Sequence, residues 1–222
     1  DGERMRVYKG WENVDPESSI NVLLGHECDH LTGNRQGDIF FRTCDSLVRY
    51  DIREEKFHVV GGCRAKTVTS ANGDVWTGYE DMICRYDEKG DSLQLYVKTN
   101  TPGGISGLLI SEKKIWIGTY EGLYVIEEDK KVRCLIDGPE FYRLFESSTG
   151  EIWAGCRTGG LYRITQDERI IWYSESNPSP FHIENSQIRG FAEDRFGNIW
   201  FGTFMGLHKY NPYTDRFTVY QQ

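Results

Sequence analysis

The 222-residue chain has only six prolines and three methionines, and no apolar run approaching 18 residues. Without such a run no helix of the usual kind can cross the ~30 Å hydrocarbon core of a bilayer. Basic clusters are also missing. Lys and Arg number 26 against 34 Asp and Glu, a net charge of −8. Nucleic-acid affinity rests on clustered cations that release counterions, so nucleic acid is excluded as the expected partner. An anionic membrane surface has equally little to attract. The opening DGERMRVYKG does not have the charged, apolar and small-residue sequence of a secretory signal. The six cysteines (Cys28, Cys44, Cys63, Cys84, Cys134 and Cys156) form no C-x-x-C pair. That argues against a zinc ribbon or a thioredoxin-type motif. In a chain long enough to build its own core, most of them are expected as buried thiols behaving like small hydrophobes. No G-x-S-x-G elbow, P-loop or S-x-x-K is present.

What the chain has instead is glycine, with 24 residues, and aromatic side chains at 14%. Both are distributed periodically. The segments GDIFFRTCDSLVRYD (37–51), GDVWTGYEDMICRYD (73–87), KIWIGTYEGLYVI (114–126), GEIWAGCRTGGLYRI (150–164) and GNIWFGTFMGLHKYN (197–211) share one pattern. Their anchoring aromatics are Phe40, Trp76, Trp116, Trp153 and Trp200, spaced by 36, 40, 37 and 47 residues. Trp11 and Trp172 fall outside this register. Each unit reads as a small or apolar strand, a Gly turn, the anchor strand, a Gly- or Thr-marked corner, a third strand, a charged turn and a fourth strand. The fourth strands are expected at 56–60, 93–97, 131–136, 169–174 and 216–220.

Four short antiparallel strands per roughly 40 residues describe one blade of a β-propeller. One such sheet buries little alone. Stacked between neighbours, both its faces become core, with the anchor ring wedged at the seam and the glycine after it admitting the adjacent sheet. The fold expected is therefore all-β, a propeller of four-stranded antiparallel blades, five in this chain, treated as a single domain over 1–222. The segment RMRVY, within an extra outer strand at 1–10, resembles a fourth strand without its first three. It points either to a compact five-blade ring with a spare edge or to part of a larger ring.

The stretch EDRFGNIWFGTFMGLHKYNPYTDRF (193–217) resembles the two-component regulator propeller repeat through Glu193, Asp194, Gly197, Asn198, Ile199, Trp200, Gly202, Thr203, Gly206, Leu207, Tyr210 and Pro212. The unit at Trp116 is similar through Gly118, Thr119, Gly122 and Leu123, and that at Trp153 through Gly150, Ile152, Gly155 and Leu161. The unit at Phe40 departs most, with Arg42 where glycine is expected. The resemblance implies the extracytoplasmic sensor region of a hybrid two-component system, periplasmic and non-catalytic. The signal it implies is an oligosaccharide or another small molecule. The membrane helix, kinase and DNA-binding module of such systems are not in this sequence.

Enzyme chemistry finds little support. His26 and His30 in GHECDH sit four apart, beside Cys28 and Asp29, on a segment where a first strand belongs. Their order is not H-E-x-x-H, and the plainer reading is an irregular strand, so no metal site, cofactor or catalytic residue is assigned. Paired acids such as Glu54-Glu55 and Glu127-Glu128 read as solvated hairpin ends. A propeller lyase would need a cluster of histidine and acids that no repeat supplies clearly. A binding site grafted on the scaffold is the stronger expectation. The connection between second and third strands varies from unit to unit: Cys44-Asp45, Tyr79-Glu80-Asp81, Tyr120-Glu121, Arg157-Thr158 and Phe204-Met205. Tyr79, Tyr120 and Phe204 are candidates to stack on sugar rings, and Arg157 to pair with an acidic sugar. The blade-to-blade connections add Trp11, and Phe181 and His182 at the tip of the long insertion 174–187. The competing expectation is an interaction scaffold in which the same face docks a protein or the chain forms a homodimer.

Overall fold

A computed structural model of the chain describes residues 28–43, 46–60 and 65–221. Among them there is no helix, and every sheet has four strands joined in chain order. The described residues fall into two compact units, one ending at Thr99 and the other beginning at Asn100.

The first unit holds two sheets. One is β1 (Cys28–Gly33), β2 (Ile39–Thr43), β3 (Ser46–Asp51) and β4 (Lys56–Val60). The other is β5 (Thr67–Ala71), β6 (Asp74–Tyr79), β7 (Met82–Asp87) and β8 (Ser92–Lys98). Phe40 replaces the usual indole and is fully buried, packed with Leu47, Val60, Ala65, Val68, Val75 and Tyr86. Its ring meets Tyr86 edge-on at 4.8 Å, so a smaller aromatic still fills the seam. The Tyr86 hydroxyl donates to Asp91 at 2.6 Å, and Arg49 pairs with Asp38 at 3.1 Å and Asp51 at 2.9 Å.

The second unit holds three sheets. They are β9 (Ile105–Ile110), β10 (Ile115–Thr119), β11 (Gly122–Ile126) and β12 (Val132–Asp137); β13 (Phe141–Glu146), β14 (Ile152–Cys156), β15 (Leu161–Ile164) and β16 (Ile170–Tyr173); and β17 (Gly190–Glu193), β18 (Ile199–Thr203), β19 (Gly206–Asn211) and β20 (Arg216–Tyr220). Trp116 packs into a core with Phe141, Ile152, Ala154 and Ile164 of the next sheet. Trp153 repeats the arrangement one sheet later, with Ile199, Phe201 and Tyr210, and its ring centroid lies 4.9 Å from that of Tyr210. The indole at each of these seams is thus the wedge that the repeat predicts. A cation borders each of the four anchor indoles: Arg85 over Trp76 at 5.7 Å, Lys114 over Trp116 at 5.8 Å, Arg163 over Trp153 at 5.6 Å and Lys209 over Trp200 at 5.4 Å.

Two glycine positions of the repeat have physical causes. A Cβ on Gly118 would overlap the Phe141 carbonyl of the next sheet, and one on Gly155 would lie 2.7 Å from Ile188 Cβ. These glycines let the adjacent first strand come close. Gly122 and Gly206, which open third strands, have φ of 153° and 125°, and a Cβ there would run into a carbonyl of the fourth strand. The Asp-x-x-Gly-Asn turn is equally explicit. The Asp194 carboxylate accepts from the Phe196 and Asn198 backbone N–H groups and from Trp200 Nε1 at 2.9–3.0 Å, tying the turn to its anchor ring.

The last sheet departs from the pattern in one respect. Trp200 is half-buried rather than buried, stacked on Tyr220 at 5.5 Å, and nothing among the described residues lies within 4 Å of a Cβ on Gly202. Cysteine also departs in part. Cys84 and Cys156 are buried as expected, whereas Cys134 is exposed. The expected strand at 1–10, with Cys44 and Cys63, lies outside the described residues.

Candidate functional site

In the second unit the start of each first strand pairs with the end of each second strand: Ile105 with Thr119, Phe141 with Cys156, and Gly190 with Gly202. The second-to-third turns and the entries into the first strands therefore share one end of each sheet. Tyr120, Arg157 and Phe204 all lie at that end. They are exposed, with Tyr120 at 43% and Phe204 at 62%. The strands that carry them are paired on both sides and packed in the two cores, so these side chains project from rigid supports.

Around Arg157 the structure assembles a polar cluster. Arg157 Nε donates to Glu140 Oε2 at 2.8 Å, and its guanidinium carbon lies 5.2 Å from the centre of the Tyr142 ring. That hydrogen bond holds the Arg157 pKa above its usual value, with the Tyr120 hydroxyl among the smaller contributors. Arg143 lies over the same Tyr142 ring at 4.9 Å, and its Nε donates to the Arg189 carbonyl at 3.0 Å. The Tyr142 hydroxyl donates to the Ile188 carbonyl. Arg189 in turn stacks on Phe204 with its guanidinium carbon 4.0 Å from the ring centre. Burial raises the Tyr142 phenol above its usual pKa, against the opposing pull of the Arg189, Arg143 and Arg157 charges.

The structure thus brings Arg157, Tyr120 and Phe204 into one neighbourhood and sends the other candidates elsewhere. Phe181 and His182 lie on the insertion, which folds back on the end of β16: Ser174 N donates to Phe181 O at 3.1 Å, and Ile183 N to Ser174 O at 3.2 Å. His182 lines a separate cleft of 650 Å³ with Pro180, Glu184, Arg216, Phe217 and Val219. Its Nε2 lies 3.8 Å from Glu184. Tyr79 ends β6 in the first unit, half-buried and opposite Met82. Trp11 and His26 lie outside the described residues. His30 Nδ1 is 3.3 Å from Thr67 Oγ1, and no group of three or more His, Cys, Asp and Glu side chains among the described residues is arranged to hold a metal. Glu140, Tyr142, Arg143 and Arg189, which the sequence analysis does not single out, join this cluster in the structure. They sit at the entries to first strands, where Ser106, Tyr142 and Arg189 occupy comparable places and differ in type between repeats.

Comparison with known proteins agrees with this architecture. Residues 182–205 match the family described as two component regulator propeller. Histidine kinase P4 of Formosa agariphila is 27% identical over 171 residues, which cover 67% of this chain and 12% of that protein. The extracellular domain of a hybrid two component system from B. thetaiotaomicron superposes with a TM-score of 0.67 at 20% identity, over 86% of this chain and 29% of that one. PorZ, a surface component of the type-IX secretion system of Porphyromonas gingivalis, superposes with a TM-score of 0.62 at 13% identity, over 82% of this chain and 31% of that one. The chain therefore spans less than a third of the length of each of these relatives. Within its all-β fold of four-stranded sheets, the stretch 182–205 matches the two component regulator propeller family.

Proposed function

We propose that this chain is the ligand-sensing region of a two-component regulator, extracytoplasmic and periplasmic, non-catalytic, and that its signal is an oligosaccharide. The observation that carries this reading is the sheet end in the second unit where Tyr120, Arg157 and Phe204 stand exposed on the turns that follow paired strands. Exposed aromatic rings offer flat apolar faces to sugar C–H groups, and the guanidinium offers directed donors. Such side chains on a repeat whose core positions are otherwise regular are what a site grafted on a scaffold requires. Calorimetric titration with a panel of neutral and acidic oligosaccharides tests the reading. Binding that is lost on Tyr120→Ala supports it; a panel that gives no heat, or a Tyr120→Ala chain that binds unchanged, contradicts it.

A second reading has its own observation. Leu207 and Tyr220 are exposed beside the stacked Trp200 on one face of the last sheet, an apolar surface suited to a protein partner or a second copy of the chain. Light scattering across a concentration series distinguishes the two. Association that is abolished by Leu207→Asp favours the scaffold, and a monomer at all concentrations removes the homodimer.

A further inference from the structure

We propose that the free edge of β20 is a docking site for an extended peptide, which pairs with it as a fifth strand and places apolar side chains in the cleft beside residues 179–184. This surface is separate from the sheet end that carries Tyr120, Arg157 and Phe204, and the proposal does not depend on the oligosaccharide reading.

β20 is the last strand of its sheet, and among the described residues its backbone pairs with β19 alone. Strand geometry turns alternate N–H and C=O groups of such an edge outward, where a second extended chain can bond to them. The neighbouring sheet shows what such an addition looks like. Residues 181–183 run alongside the end of β16. Ser174 N donates to Phe181 O at 3.1 Å, Ile183 N donates to Ser174 O at 3.2 Å, and Ser174 and His182 form a parallel bridge. The chain's own insertion thus adds to that sheet, and Ile183, 1% exposed, joins the core between the two sheets. Nothing among the described residues does the same for β20.

The space for it is present. A cleft of 650 Å³ lies between β20 and the insertion, lined by Phe217 and Val219 on one side and Ile183 on the other. Phe217 and Val219 are half-buried and, two residues apart, share one face of β20. Side chains at every second position of an added strand lie on that same face, so alternate apolar residues of the peptide enter the cleft. The rim carries charge of both signs. Arg216 is exposed and makes no ion pair with a described residue, and Glu184, also exposed, has the His182 ring at 3.8 Å as its partner. A peptide that alternates apolar and polar residues and carries one acid and one base meets these features together. Its backbone also matches the row of donors and acceptors at strand spacing, which sugar hydroxyls do not.

The test is an NMR titration of the isotope-labelled chain, followed at the backbone amides. The probes are acetyl-Glu-Val-Thr-Val-Lys-amide and acetyl-Lys-Val-Thr-Val-Glu-amide, which present the charges in the two possible orders. Each is paired with a version carrying Gly for both Val and with versions N-methylated at alternate residues. The expected result is saturable shifts at the amides of 216–220 and 181–184 with at least one parent peptide. Loss of both Val side chains should weaken binding by about tenfold or more, and so should N-methylation of the set of amides that faces β20. Arg216→Glu should weaken the parent peptide by about twofold to fivefold and favour the peptide in which Lys replaces its Glu, the range of a rim ion pair. Arg216 is exposed, so circular dichroism of that variant should match the parent. No shifts with either parent peptide would overturn the site, as would shifts confined to other strands. N-methylated peptides that bind as well as their parents would overturn strand addition. Shifts at 216–220 with the oligosaccharide panel and none with peptides would overturn the peptide while leaving a sugar-binding chain. Peptide binding in a chain that ignores every oligosaccharide supports the site and removes only the oligosaccharide reading.

Discussion

Trp153 and Trp200 occupy the same position in successive repeats and meet different surroundings. Trp153 is fully buried, enclosed by Tyr173 of its own sheet and by Ile199 and Tyr210 of the next. Trp200 is half-buried and leans on Tyr220, beside an exposed Leu207. The glycines two residues on show the same contrast. A Cβ on Gly155 would lie 2.7 Å from Ile188 Cβ, whereas one on Gly202 would meet nothing within 4 Å among the described residues. Sequence alone makes these two units near copies. The comparison teaches that the repeat encodes a seam, and that the seam contributes its energy only where a further sheet packs against it.

The sharpest way to break this comparison is to remove each indole. Trp153→Ala should cost about 3–5 kcal/mol, the range for truncating a large buried aromatic. Trp200→Ala should cost about 1 kcal/mol, as expected for a side chain outside a closed core. Urea denaturation monitored by circular dichroism reads both, and equal costs would mean that the two rings do equivalent work. A control that should not distinguish the sheets comes next. Gly160 and Gly206 both have positive φ, and a Cβ on either would overlap a carbonyl of its own fourth strand. Gly160→Ala and Gly206→Ala should therefore cost similar amounts, about 1–3 kcal/mol each, because the strain is internal to the sheet.

The smallest expected effect concerns pH. His208 lies opposite Phe201, stacked on its ring at 4.9 Å, with no exposed surface and with neither ring nitrogen hydrogen-bonded among the described residues. Burial lowers its pKa from the ordinary value of 6.5, partly opposed by the Gly206 backbone and by Glu184. The folded imidazole thus stays neutral while the unfolded one takes a proton as pH falls through the value of 6.5. Stability from this residue is complete above that pH and declines below it. His208→Leu should flatten the decline in the urea midpoint between pH 7.5 and 5.5. A variant that declines as steeply as the parent would show that other groups carry the pH dependence.

Much of the fold was legible because each repeat states its turns and seams in residue type. The fourth strands expected at 56–60 and 216–220 are β4 and β20 without adjustment. The Gly-Leu pair, the Asp-x-x-Gly-Asn turn and the anchor indole all have the roles that their spacing suggests. The contrast between Trp153 and Trp200 was not legible, because burial of a ring depends on a neighbouring sheet and not on the local string. The candidate cluster was legible in part. Tyr120, Arg157 and Phe204 could be found as the variable residues of the second-to-third turns. Tyr142, Arg143, Glu140 and Arg189 belong to the next connection in sequence, and strand pairing brings them back beside those turns. The insertion misled in a different way. Its length marked Phe181 and His182 as a tip, yet backbone bonds to Ser174 fold it back toward β16, and His182 faces β20.

Steric replacement at the seam glycine tests the central claim most directly. Gly118→Ala and Gly202→Ala make the same chemical change at the same place in two repeats. In urea unfolding, stacking of sheets through this backbone contact predicts a loss of about 2–3 kcal/mol for Gly118→Ala, where the new methyl meets the Phe141 carbonyl. It predicts a change within about 0.5 kcal/mol for Gly202→Ala, where the methyl enters open space. Losses of equal size at the two positions, or a harmless Gly118→Ala, would contradict it.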